Sequence, residues 1–167
     1  MKLDAFDFKI LEALQRNGRM TKVQLAKEIN LSPSPCWERV RRLETAGLIR
    51  GYHADIDIDR LVQVCIVLVV VTLKSHQAQD FNRFEETVRA IPEIIESYAI
   101  GGGFDYLLKV ATLNIDCYQR LIERLLDANI GIDRYYTYFV TKPVKAFSGY
   151  PIDRLLSAGR LEAEKKK

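Results

Sequence analysis

The chain has 167 residues, 48% apolar and 28% charged, enough for one ordinary domain or two small ones and too apolar for a disordered chain. Its net charge of +3 is spread evenly: residues 1–60 carry 11 basic and 9 acidic groups, 61–150 carry 9 and 10, and 151–167 carry 5 and 3, so any DNA argument rests on local placement. No run approaches the roughly 18 apolar residues of a membrane helix, the first ten residues do not read as a signal peptide, and three scattered cysteines, Cys36, Cys65 and Cys117, argue against a disulfide framework or zinc site and for a reducing cytoplasm.

Residues 4–17, "DAFDFKILEALQRN", place Phe6, Ile10, Ala13 and Leu14 on one helical face. Asp4 and Asp7 lie near the start, where the helix dipole favours acids. Gly18 stands past the end, the usual place for a left-handed residue. Thr21 with Gln24 three residues on reads as a capping box. The helix it opens runs to Ile29 and is expected to bury Val23, Leu25, Ala26 and Ile29, with Asn30 ending it in the left-handed region.

The stretch "LSPSPCWERVRRLETAGLIRGY", residues 31–52, sets two prolines before an arginine-rich helix. The first N–H groups of a helix have no intrahelical partner, so proline there loses no bond. Ser32 or Ser34 serves as N-cap. Cys36, Val40 and Leu43 then form the inward face, flanked by Arg39 and Arg42 on one side and Trp37 and Arg41 on the other. Three short helices with tight connections form a helix-turn-helix, whose second element is the recognition helix. After Gly47, "LIRGYHADID" reads as a hairpin or extended wing.

Residues 61–145 change character. "VCIVLVVVTL" is a strand, and Phe81, Phe84, Val88 and Ile91 mark a helix closed by Pro92. "EIIESYAI" and "YLLKVATL" are strands joined by the turn "GGGFD". Asn114 or Asp116 caps a helix burying Tyr118, Leu121, Ile122, Leu125 and Leu126, and "DRYYTYFVTKPV" is the last strand. The fold class is α+β: an N-terminal helix-turn-helix (winged-helix-like) domain and a C-terminal ferredoxin-like βαββαβ domain. The boundaries read as 1–50 for the DNA-binding domain, 51–63 for an extended linker, 64–147 for the ferredoxin-like domain and 148–167 for a tail. Both helices of that domain cover one face of the sheet, yet residues 64–73 are apolar at both parities. Something outside the chain must bury the second face, and an isologous homodimer is the simplest answer.

These elements in this order resemble the Lrp/AsnC family of bacterial and archaeal transcription regulators over residues 2–147. "LDAFDFKILEALQRNGRMT" is similar to the family's first helix and turn, and "LSPSPCWERVRRLETAGLIRGYHA" to its recognition helix and exit. "GGGFDYLLKV" is similar to its glycine–x–x–Asp–Tyr loop. The resemblance implies a cytoplasmic, non-enzymatic transcription regulator without a cofactor. It implies a homodimer built through the C-terminal domains, assembling up to an octamer. It also implies DNA wrapping or bending and tuning by a small effector, usually an amino acid. The longer tail, "SGYPIDRLLSAGRLEAEKKK", departs from shorter members.

Candidate DNA-contacting residues are Thr21, Gln24, Ser32, Ser34, Pro35, Trp37, Arg39, Arg41 and Arg42. The arginines suit phosphate oxygens and guanine edges alike, and substituting Arg39 or Arg42 is expected to leave the fold intact. Capping explains Thr21, Gln24 and the serines equally well. Two readings stand for Trp37, a shoulder of the core or a ring near DNA. Cys36 reads as a small packed residue. Candidate effector residues are Gly101, Gly102, Gly103, Phe104, Asp105 and Tyr106. Glycine N–H groups form a nest for an α-carboxylate, Asp105 pairs an α-ammonium group, and Phe104 and Tyr106 shape the side-chain pocket. A hairpin turn is the plain alternative for the glycines. No metal spacing, nucleophile–base set or phosphate loop supports an enzyme. An architectural DNA-binding protein with low sequence specificity and no effector is the runner-up.

Overall fold

The computed structural model describes residues 3–157, in the order α1 (Ala5–Arg16), α2 (Lys22–Glu28), α3 (Pro33–Thr45), β1 (Cys65–Leu73), α4 (Ala78–Arg89), β2 (Ile94–Ala99), β3 (Tyr106–Thr112), α5 (Ile115–Asp127) and β4 (Ile132–Phe139). A single 3₁₀ turn, Ile58–Arg60, interrupts the linker, and residues 152–157 are helical. Among the described residues, 3–55 and 145–157 form one compact unit and 56–144 another.

In the first unit, each helix start has a local cause. Asp4 caps α1 in a reciprocal box with Asp7, and Thr21 caps α2 in the same way with Gln24. Ser32 is the N-cap of α3 without a side-chain bond, so Pro33 at the first helical position fixes where that helix begins. Ile10 and Ala13 of α1, Leu25 and Ala26 of α2, and Cys36, Val40 and Leu43 of α3 close the core with Ile29. Burial pushes the Cys36 thiol above its ordinary range, consistent with a packing residue.

Three expectations need correction here. Val23 is 64% exposed, because the first turn of α2 turns it away from the core. Gly18 is not left-handed: α1 ends at Asn17 with an extended backbone, whereas Asn30 (φ 58°) and Gly47 (φ 70°) do take the left-handed turn after α2 and α3. Residues 50–57 form no hairpin; they run without ladder hydrogen bonds.

The second unit is a four-stranded antiparallel sheet in the order β2-β3-β1-β4, the ferredoxin-like arrangement. Val67, Val69, Val71 and Leu73 of β1 and Tyr106, Leu108 and Val110 of β3 pack beneath Phe84 and Val88 of α4 and Tyr118, Leu121, Ile122 and Leu125 of α5. Leu126 is half-exposed rather than buried, and the last strand stops at Phe139.

The opposite sheet face follows from the register. Val70 stands between Leu107 and Tyr136, and Leu68 between Lys109 and Tyr138. Tyr98 lies beyond Leu107, and Glu96 beyond Lys109. Among the described residues no helix of this unit covers the face, and Tyr98, Tyr136 and Tyr138 are about half-exposed on it. An ion pair on it joins Lys109 Nζ to Glu96 Oε1 at 2.7 Å, which holds the Glu96 carboxyl below its ordinary range.

Candidate DNA-binding surface and ligand loop

The recognition helix α3 is fixed against α1 by an acidic centre. Asp7 is fully buried, and its carboxylate accepts from Arg42 Nη2 at 2.8 and 2.7 Å, from Arg39 Nη1 at 2.9 Å and from its own cap partner, the Asp4 N–H, at 3.0 Å. Arg39 Nη1 also donates to Asp4 Oδ1 at 2.8 Å, and its guanidinium lies 5.5 Å from the Phe6 ring. The Asp7 N–H bond and the Arg39 bond hold the Asp4 carboxyl below its usual value, and the Asp4 and Asp7 carboxylates raise the Arg39 guanidinium in turn. A buried carboxylate needs such partners, since a lone ion there is strongly destabilising.

This corrects the expectation that Arg39 and Arg42 are free cations whose loss leaves the fold untouched. Their guanidinium groups are bonded to Asp7, and they tie two helices together. The signal for Asp7 was present as an acid in the first turn of α1, but helix-dipole chemistry explained it locally. Its partners lie 32 and 35 residues further on, beyond any periodicity.

Cys36, Val40 and Leu43 point inward, so the helical period turns Ser34, Glu38 and Arg41 to the opposite side, and all three are exposed. Arg41 makes no hydrogen bond or ion pair with any described residue. Ser32 and Pro35 are exposed at the start of the same helix. Trp37 packs on the core edge with Lys22 Nζ 4.0 Å from its ring centroid. Thr21 Oγ1 and Gln24 Oε1 are both engaged in the capping box. Glu38, a residue the sequence analysis did not single out, shares the outward face.

In the second unit, the β2–β3 loop holds Gly101, Gly102 and Gly103, all exposed. Only Gly102, at φ 124°, needs glycine for its backbone, and an added Cβ at any of the three meets nothing within 4 Å. The loop is anchored at Asp105. Its Oδ2 accepts from Leu73 N at 2.7 Å, its Oδ1 lies 3.0 Å from His76 Nε2, and its main chain bonds to Val71 O and Ile100 N, each at 2.9 Å.

Phe104 and Tyr106 do not shape one pocket. The Phe104 ring meets Tyr136 edge-on at 5.6 Å, and Tyr136 belongs to the open sheet face. Tyr106 turns to the helix side, 4.4 Å from Phe84, with its hydroxyl donating to Glu85 at 3.0 Å; burial, with Glu85 beside it, pushes its pKa up to about 12. It lines a cleft of about 360 Å³ between α4 and β2 with Glu85, Arg89 and Glu96. No group of three or more potential ligands able to hold a metal occurs among the described residues.

A helix-turn-helix joined to a ferredoxin-like domain is the architecture of a DNA-binding regulator with a second, ligand-binding domain. Comparison with known proteins agrees: residues 3–50 match the winged helix-turn-helix DNA-binding family, and residues 66–150 match the Lrp/AsnC ligand binding domain. The chain is 57% identical to the transcriptional regulatory protein DoeX of Halomonas elongata, over 87% of this chain and 92% of that protein. The crystal structure of an AsnC family transcriptional regulator from Agrobacterium tumefaciens superposes with a TM-score of 0.85 at 33% identity, covering 92% of this chain and 99% of the other. The transcriptional regulator NMB0573 of Neisseria meningitidis, solved as a complex with L-Met, gives the same TM-score at 31% identity, with 92% and 99% coverage. The chain belongs to the Lrp/AsnC family. It is a DNA-binding transcriptional regulator with a ligand-binding domain, and its named relatives are regulators rather than enzymes. No described helix is long and apolar enough to cross a membrane.

Proposed function

We propose that the protein is a cytoplasmic, homodimeric regulator that reads DNA through α3 and answers to an amino acid held near the Gly101–Asp105 loop. The observation that carries the DNA half is the outward face of α3, where Ser34, Glu38 and the uncommitted Arg41 stand opposite the core. A guanidinium with no internal partner is available for phosphate or a guanine edge, and a glutamate for a cytosine amino group. Ser32 and Pro35 flank this face, while Thr21 and Gln24 offer only what capping leaves over.

Support for the ligand half comes from the open glycine loop and from the L-Met complex of the Neisseria relative. The Gly101–Gly103 N–H groups receive a carboxylate. Asp105 contributes through loop position, because its carboxylate already serves Leu73 and His76. Phe104 supplies apolar contact, and Tyr106 acts from beneath the sheet. Dimerisation through the apolar sheet face, and further assembly of dimers up to an octamer, completes the reading.

A thermal-shift screen over the amino acids, L-methionine first, tests the sensory half, since a ligand that binds only the native state raises apparent stability. Gel shifts on the protein's own promoter and on random DNA, at one stated salt, test the regulatory half. A melting rise with one amino acid and preference for the promoter are expected. Equal affinity for both DNAs and no responsive ligand would favour an architectural protein instead.

A further inference from the structure

The chain leaves the first unit at Asp55 and returns to it at Lys145. The returning segment is joined to α1 by main-chain bonds. Gln15 Nε2 donates to Tyr150 O at 2.8 Å, and Tyr150 N donates back to Gln15 Oε1 at 2.9 Å. One side-chain amide thus satisfies both main-chain groups of one residue, as a neighbouring strand would. Three residues on, Asp153 N donates to Glu12 Oε1 at 3.1 Å.

Gly149 shows how close the approach is. Its φ is 112°, and an added Cβ would fall 2.4 Å from Gln15 Cδ, a distance no real contact tolerates. Phe147, Tyr150 and Ile152 line one side of a cleft of about 650 Å³ whose other walls include Leu11, Leu14 and Tyr52. None of the bonds that hold this segment involves α3, so the outward face of the recognition helix stays open.

We propose that residues 145–157 are a latch, the chain's own segment docked on α1 of its own DNA-binding unit. The unit is then held to the ligand-binding domain by two stretches of chain, through residues 51–64 and through the end of β4. This second tie restricts how freely the DNA-binding unit moves. It goes beyond the regulatory reading above and depends on neither operator nor effector.

The test uses the full chain with Gln15→Ala, which removes both amide bonds, and separately Gly149→Val, which the backbone and the Gln15 contact forbid. Trp37 is the chain's one tryptophan and sits on α3, so its time-resolved anisotropy reports the motion of this unit. Two hydrogen bonds of ordinary net strength correspond to about a tenfold or larger rise in the undocked population. Trypsin cleavage after Lys145 and Arg154 should accelerate to that extent in both variants, and a faster Trp37 component should grow in. Far-ultraviolet circular dichroism should stay as in the parent chain. Unchanged cleavage and anisotropy in both variants would overturn the latch.

A cross-linking arm decides whose tail is docked. Glu12→Cys with Asp153→Cys, a neighbouring pair that keeps both Gln15 bonds, in a chain carrying Cys65→Ser and Cys117→Ser, is treated with a short bis-maleimide. A product at monomer mass supports docking within one chain, and a product at twice that mass overturns it.

Discussion

Asp7 and Arg41 divide the labour of the recognition helix. Asp7 is buried and bonded to two guanidinium groups, so removing it leaves two cations facing a hole. Arg39 and Arg42 are 26% and 46% exposed at the side chain, so they rehydrate in part. The cost of Asp7→Ala should therefore fall near the lower end for a broken buried pair, about 3 kcal/mol. Arg41→Ala disturbs no internal bond and should leave stability within about 0.5 kcal/mol. Its effect should appear on DNA instead, as weaker binding and a salt slope smaller by about one. Denaturant titration and gel shifts at two salts separate the two roles; the reverse pattern, with Arg41→Ala destabilising and Asp7→Ala neutral, would sink the division. At this scale the sequence was a partial guide. Spacing put all three arginines outside the inward face of α3, but only the fold turned Arg41 to the outward side and told the engaged pair from the free one. The choice turns on an acid more than thirty residues away.

Strand β1 carries the same lesson between elements. Its run is apolar at both parities, with Thr72 the one polar residue, so alternation could announce two buried faces without saying which residue belonged to which. The helices decide: α4 and α5 cover Val67, Val69 and Val71, leaving Ile66, Leu68 and Val70 on the uncovered side. Val69→Asp places a charge in a closed core, and should abolish folding. Val70→Asp, between Leu107 and Tyr136, should fold and fail to dimerise. Light scattering at micromolar concentration, with a melting curve on each variant, checks the pair; a folded dimer of Val70→Asp would move the interface elsewhere. The β2–β3 loop was legible as glycine-rich and was misjudged in its walls. Phe104 and Tyr106 are two residues apart, a spacing that implies one face in a regular strand. Phe104 precedes β3, so strand alternation does not bind it, and it turns to Tyr136 on the open side. The hairpin alternative failed for a simpler reason. Residues 50–57 have no partner strand to complete a ladder, and a two-stranded ribbon is marginal even with one.

Across the whole molecule, ligand and DNA must communicate between two units, and the effect has to appear as a coupling free energy. Such couplings are typically about 1–3 kcal/mol, or roughly 5–150-fold in affinity. Asp105 is the residue that ties the proposed ligand loop to the end of β1 and to His76. Asp105→Asn keeps an oxygen that can accept from Leu73 N and weakens the interaction with His76. The fold should survive, since Tyr106 and the β1–β3 ladder are anchored independently. The loop should then hold a ligand less tightly and pass less of its binding energy to the DNA-binding unit. Reciprocity makes this measurable from either side. If an amino acid shifts DNA affinity by some factor, DNA shifts amino-acid affinity by the same factor. Titration calorimetry with L-methionine as first probe, with and without promoter DNA, should show that factor in the parent chain and a value near one in Asp105→Asn. Ligand-free DNA binding should be equal in both. A variant that binds the ligand as tightly as the parent and keeps the full coupling would reduce Asp105 to a turn residue and place the effector away from this loop.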